Sequence, residues 1–176
     1  FRVKGDLRLG RPGKRLRHSY FAGNLEVSGN LGYEHEVLVL GDLTVGGLIE
    51  DRFEGSPLLV AGSVRAKGMY IGSETKIAGR LDVADVLHLR RTRGGNTLFV
   101  ERGAKTKLHV WTPDDSKMTG KLKATHRVEA YPERNDRALV KVRGLLSKKL
   151  DRALDADEPE LAAIVAALRD GKSIWR

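Results

Sequence analysis

The chain has 176 residues, with 32 Lys and Arg against 23 Asp and Glu for a net charge of +9, no cysteine, 20 glycines and six per cent aromatic residues. The missing cysteine excludes a disulfide frame, thiolate chemistry and a zinc–cysteine site, and no apolar run is long enough for a transmembrane span. The length suits one domain with a real core, and this glycine and aromatic content suits a thin aliphatic solenoid better than a globular enzyme core. The absence of cysteine and of an export segment favours a cytoplasmic protein.

A seven-residue phrase recurs from the first residues: apolar, spacer, Gly, a turn-type or charged residue, Leu or Val, spacer, apolar. Its copies centre on Gly5, Gly23, Gly41, Gly62 and Gly79, steps of 18, 18, 21 and 17, and a sixth centres on Gly120, about two steps further on. A near-constant period of this size marks a solenoid. Apolar residues at Gly minus two, plus two and plus four alternate with polar ones, which is strand periodicity, and about 20 residues hold two or three short strands with turns. The predicted fold is therefore mainly β, a parallel β-helix of six to seven coils over residues 1–132; missing hexad regularity points to a right-handed coil. Gly tolerates the corner, and Asp6, Asn24, Asp42 and Ser63 after it suit a turn. A second apolar stretch after most copies, Leu48-Ile49, Met69-Tyr70-Ile71 and Val86-Leu87-His88-Leu89, forms the next face.

Between Gly79 and Gly120 the phrase lapses, yet Thr97–Val100 and Lys107–Trp111 are strand-like and predict a degenerate coil. Three loops stand out: Arg11–Ser19, rich in cations, Glu50–Pro57, rich in acids, and Arg90, Arg91 and Arg93 with Gly94-Gly95. Beyond residue 133 the pattern turns helical and predicts a C-terminal cap over 133–176. One stripe runs through Leu139, Val142, Leu146, Leu150 and Leu154. A second helix has Asp157 as N-cap, Pro159 in its first turn, a stripe of Leu161, Ile164, Val165 and Leu168, and Gly171 as its stop. The pair is expected to fold against the last coil or beside a sheet face.

The phrase typified by Val39-Leu40-Gly41-Asp42-Leu43-Thr44-Val45, together with a tail of short helix, Gly, Lys and a hydrophobic ending at Ile174-Trp175, resembles the divergent bactofilin-like β-helices of bacteria. Some of these are polymer-forming cytoskeletal proteins and some stand beside toxin systems. For the toxin-associated members the resemblance implies a non-catalytic, partner-binding role such as immunity; for bactofilins proper it implies end-to-end polymers.

No chemistry-bearing motif survives inspection. Gly171-Lys172-Ser173 lacks the first glycine of a phosphate loop and follows a helix instead of opening one. His35-Glu36 lacks the second histidine of a zinc-protease motif. His88 and His109, 21 apart, could stack as a ladder, which needs no chemistry, and the hexad repeat of histidine-using β-helix acyltransferases is missing. An enzyme, a cofactor or a metal is therefore not expected. Charge is the remaining signal. Residues 1–17 carry seven cations and one acid, and residues 85–127 ten cations and four acids. A plain solvated surface accounts for part of this. The functional expectation is a protein partner with an acidic surface, met by Arg90, Arg91, Arg93, Lys105, Lys107, His109 and Trp111, although Trp111 serves equally as a core plug at a coil end. Nucleic acid is the alternative ligand, through a basic stripe with salt-sensitive affinity. A homo-oligomer by end-to-end stacking is the structural alternative.

Overall fold

The computed structural model describes residues 1–10, 18–53, 55–90, 96–111, 116–129, 145–146 and 161–175. A partial first rung, β1 (Arg2–Val3) and β2 (Leu7–Leu9), precedes about six turns of a parallel β-solenoid. The turns consist of β3 (Ser19–Phe21), β4 (Leu25–Val27) and β5 (Leu31–Tyr33); β6 (Val37–Val39) and β7 (Leu43–Asp51); β8 (Leu58–Val60) and β9 (Val64–Ile71); β10 (Thr75–Ile77) and β11 (Leu81–Leu89); β12 (Asn96–Val100) and β13 (Ala104–Trp111); β14 (Ser116–Thr119) and β15 (Leu122–Glu129). The short opening strands stack as a six-stranded sheet in the order β3-β6-β8-β10-β12-β14, and the rest form a nine-stranded sheet along β1-β4-β7-β9-β11-β13-β15, with β5 between β2 and β7. The degenerate coil expected between Gly79 and Gly120 is present as β12 and β13.

β7 and β11 shift register against their neighbours in mid-strand, between Val45 and Leu48 and between Val83 and Val86, so the nine-stranded sheet bends and gives the coil its second and third faces. Inward positions are aliphatic rung after rung. Leu25, Leu43, Val64 and Leu81 form one fully enclosed column and Val37, Leu58, Thr75 and Leu98 another. Each such leucine contributes about 2 kcal/mol by leaving water.

The recurring Gly works by leaving room for its neighbour's turn residue. Asn24 Oδ1 accepts the Asp42 N–H at 2.9 Å, Asp42 Oδ1 accepts the Ser63 N–H at 2.7 Å, and Ser63 Oγ accepts the Arg80 N–H at 3.1 Å. A Cβ on Gly41, Gly62 or Gly79 would stand 2.2, 2.3 or 2.5 Å from the accepting oxygen of the rung before. Any side chain there would break the chain of bonds. Gly5 departs from the predicted alignment. Val3 pairs with Val27, so Gly5 stacks with Gly29 and then Gly47 at the second corner instead of with Gly23.

Of the expected C-terminal helical pair, the second helix is present. The described helix is α1 (Leu161–Arg169), closed at Gly171 with φ of 70° by bonds from the Gly171 N–H to Leu168 O and from the Lys172 N–H to Ala167 O. Asp157 and Pro159, and all of the first predicted helix but Leu145 and Leu146, lie outside the described residues. Leu146 forms an antiparallel bridge with Trp175, an extended pairing where the stripe predicted helix. The tail 161–175 lies as a strap beside the outer face of the nine-stranded sheet, the second of the two expected positions. It packs α1 against β7 and β9, and its apolar face meets the outward residues Leu48, Val86, Leu108, Val110 and Val128.

Candidate functional surface

Of the seven residues singled out by sequence, the five that are described do not converge. Arg91 and Arg93 lie outside the described residues. Arg90 directs Nε (3.2 Å) and Nη2 (3.0 Å) at Oδ1 of Asp51, whose side chain is fully buried and whose Oδ2 accepts the Gly72 N–H at 2.8 Å. The same guanidinium stands 5.6 Å from the Tyr70 ring centroid. Arg90 is thus tied into the corner of the coil, with little left for a partner. Asp51 and Glu50, read from sequence as part of an acidic loop, end β7 and are buried.

His109 and Trp111 occupy inward positions, since they pair in register with the core residues Leu87 and Leu89. His109 is buried and neither ring nitrogen has a hydrogen-bond partner. Burial, and secondarily the charge of Arg127, pushes its pKa down to about 4. Trp111 stacks beside it at 6.5 Å and is 38 % exposed. Arg127 and Glu129 of β15 occupy the next inward positions and are exposed. The aliphatic column therefore ends in His109 and Trp111, then in charge, so the plug alternative for Trp111 fits this geometry. The proposed histidine ladder does not form. His88 pairs with Val110 and Leu87 with His109, a one-residue offset that puts the two imidazoles on opposite faces of the sheet. His88 packs outward against Tyr70, 4.9 Å between rings, and its pKa falls to about 3 through burial first, then through the charges of His109 and Arg90.

Lys107 sits with Nζ 3.8 Å from the Trp175 ring centroid, a cation–π contact that commits it to the tail. Of the five described, Lys105 alone is exposed on an outer face, in the column Thr44, Arg65, Asp82, Lys105, Lys123. The last turns also expose Arg102, Lys117, Lys121 and, at the end of the inward column, Arg127, against only Glu101 and Glu129 among the described acids of 96–129. Such a surface attracts anions over several ångströms and is screened by salt. Sequence gave the charge excess of this region, but not which cations were already spent on Asp51 and Trp175.

One constellation escaped the sequence reading. Ser19 Oγ lies 2.7 Å from His35 Nε2 at the first complete turn, and His35 is buried, with its pKa lowered by burial first and by His18 second. His18 Nδ1 is 3.2 Å from Glu36 Oε2. A neutral imidazole on a hydroxyl is half of a nucleophile–base pair. Among the described residues no carboxylate bonds the other ring nitrogen, so the contact satisfies a buried histidine. Only the pairing of Ser19 with Val37 reveals that His35 is near. Among the described residues no group of three His, Asp or Glu is placed to hold a metal, and no helix is long and apolar enough to cross a membrane.

No protein-family model, curated protein or solved structure matches the chain.

Proposed function

We propose that the chain is a non-catalytic protein-binding β-solenoid that offers the basic outer surface of its last turns to an acidic protein, in the cytoplasm, and that its biological setting is neutralisation of a bacterial toxin. The observation that carries this is the exposed set Arg102, Lys105, Lys117, Lys121 and Lys123 on the stacked last turns, which outnumbers the described acids beside it, Asp82, Glu101 and Glu129. The immunity setting follows the resemblance to toxin-associated bactofilin-like proteins. Replacing Lys105 and Lys123 with Glu should weaken capture of the product of a neighbouring toxin-like gene roughly tenfold or more at low salt, with less effect at high salt. Unchanged capture would remove this surface from the interface. Tight binding of mixed-sequence duplex DNA, collapsing with added salt, would replace the protein partner with nucleic acid.

A second reading, end-to-end stacking of copies as in bactofilins, is favoured by the first rung. Val3, Leu7 and Leu9 there, and Phe21 on the turn above, are only partly covered. Among the described residues no strand pairs the free edges of β1 and β2. Light scattering at rising concentration distinguishes the two: growth into long particles puts polymerisation first, and a constant mass leaves the binding module.

A further inference from the structure

We propose that a cleft beside the tail, lined by Arg8, Arg52 and Arg169, is a binding site for a small oxyanion, phosphate or carboxylate. The site is distinct from the basic last turns and independent of the proposed protein partner. Arg8, Gly32 and Glu50 are successive members of one outward column. Arg52, just past the end of β7, lies back across Gly32: a Cβ there would be 2.7 Å from its Nε and 3.2 Å from its Cζ. Arg169, the last residue of α1, closes the third side. The cleft they border is shallow and opens to solvent.

The charges in this cleft do not balance. Glu50 is the central acid and is largely buried; its Oε1 takes Arg169 Nη2 at 2.5 Å and its Oε2 faces Arg52 Nε at 3.5 Å, so both of its oxygens are committed. Asp6 stands on the rim with Oδ1 accepting the Asn30 N–H at 2.8 Å. Two carboxylates thus face three guanidiniums, and Arg8 makes no ion pair among the described residues. Guanidinium groups gathered around one carboxylate repel each other, and an added anion relieves that repulsion. Each is also a planar fork whose spare N–H groups match two coplanar oxygens. Asp6 and the carbonyl end of α1 oppose an anion, but the Asn30 amide already donates to the Arg169 carbonyl at 2.9 Å and takes up part of that negative end.

The cleft tolerates a discriminating test because Gly32 has an ordinary backbone conformation and is reserved for Arg52 by space alone. The full chain is titrated calorimetrically with sodium phosphate and, separately, with sodium succinate, at constant ionic strength made up with chloride. Saturable binding of either is expected, and which one binds more tightly identifies the source of the oxyanion. Arg8→Gln should weaken it roughly tenfold, the worth of one charged hydrogen bond. Gly32→Leu, which keeps every charge but displaces Arg52, should do the same, and Lys4→Gln should change nothing. If Gly32→Leu lowers the melting temperature by itself, Arg52→Gln serves in its place. Failure of both anions to saturate, or equal binding by the wild type, Arg8→Gln and the Arg52-displacing variant, overturns the site.

Discussion

Buried ionisable groups are tolerated here only where a partner or neutrality removes their charge from apolar surroundings, and the two cases lead to different expectations. Asp51 is the paired case: its carboxylate is fully buried, both oxygens are used, and Arg90 is three-quarters covered. Asp51→Asn leaves a mostly buried guanidinium without its counter-charge, and urea unfolding should show a loss of about 2–3 kcal/mol, less than a wholly enclosed pair because Arg90 still reaches water. His88 and His109 are the neutral case. Their pKa values, lowered to about 3 and about 4 by burial first, mean that the unfolded chain takes up protons from about pH 6.5 downward while the folded chain does not. Stability from these two groups is therefore full above about pH 6.5, falls as pH drops toward 4, and levels off below the folded values. His109→Leu should remove about 2 kcal/mol of the stability lost between pH 7.5 and 4.5, measured by urea unfolding at both. It should cost little at pH 7.5, since leucine continues the Leu87 column where two ring nitrogens lack partners. An equal drop in the variant would place the acid sensitivity elsewhere.

Among the elements, the tail is where sequence and structure part. The glycine phrase made the stack legible because each copy states its own corner: room at Gly, an oxygen-bearing neighbour, then apolar alternation. What remained illegible was what covers the coil's third face. Leu48-Ile49 and Val86-Leu87-His88-Leu89 are continuous apolar runs, which in a strand signals burial on both sides. Yet the covering segment, residues 161–175, is more than 70 residues away along the chain, and no local pattern names its target. The candidate surface was legible only as charge density. Pairing consumed Arg90, packing consumed Lys107 and strand parity turned His109 inward, all consequences of register. Gly68 supplies the notch for α1: a Cβ on it would meet Leu168 Cδ1 at 2.8 Å and Leu48 Cδ1 at 3.3 Å. Gly68→Leu should push α1 off its seat while leaving the inward columns intact, with increased binding of an apolar dye and a fall in melting temperature. Leu168→Ala keeps the seat but hollows it, at about 2–4 kcal/mol. Far-UV circular dichroism that keeps its β signal in both variants would show that the stack stands without the strap; loss of that signal would make the strap part of the folding unit.

Across the whole molecule, the strap changes how a solenoid should come apart. A bare stack couples only nearest neighbours, so its ends fray and its turns can unfold separately. This tail instead touches one turn after another: Asn30 bonds the Arg169 carbonyl, Glu50 pairs with the Arg169 guanidinium, and Lys67 donates to the carbonyls of Gly171 and Lys172 at 2.9 and 3.3 Å. Trp175 Nε1–H then donates to Asp85 Oδ1 at 2.8 Å while its ring carries Lys107 and approaches His126 at 6.4 Å. Turns as distant as those of β5 and β15 are thereby joined to one short segment, and opening any of them alone breaks a contact made by all. The wild-type chain should accordingly unfold in a single transition, with amide exchange in β9, β11 and β13 limited by one shared opening. Trp175→Ala releases the Asp85 and Lys107 end of the strap but keeps the Glu50 end. Its expected signature is graded: exchange in β11, β13 and β15 speeds by roughly tenfold or more, the loss of a charged hydrogen bond and a cation–π contact, while β7 and β9 change little. Uniform acceleration in all these strands would mean that the stack was cooperative without the strap, and no acceleration anywhere would mean that Trp175 holds nothing.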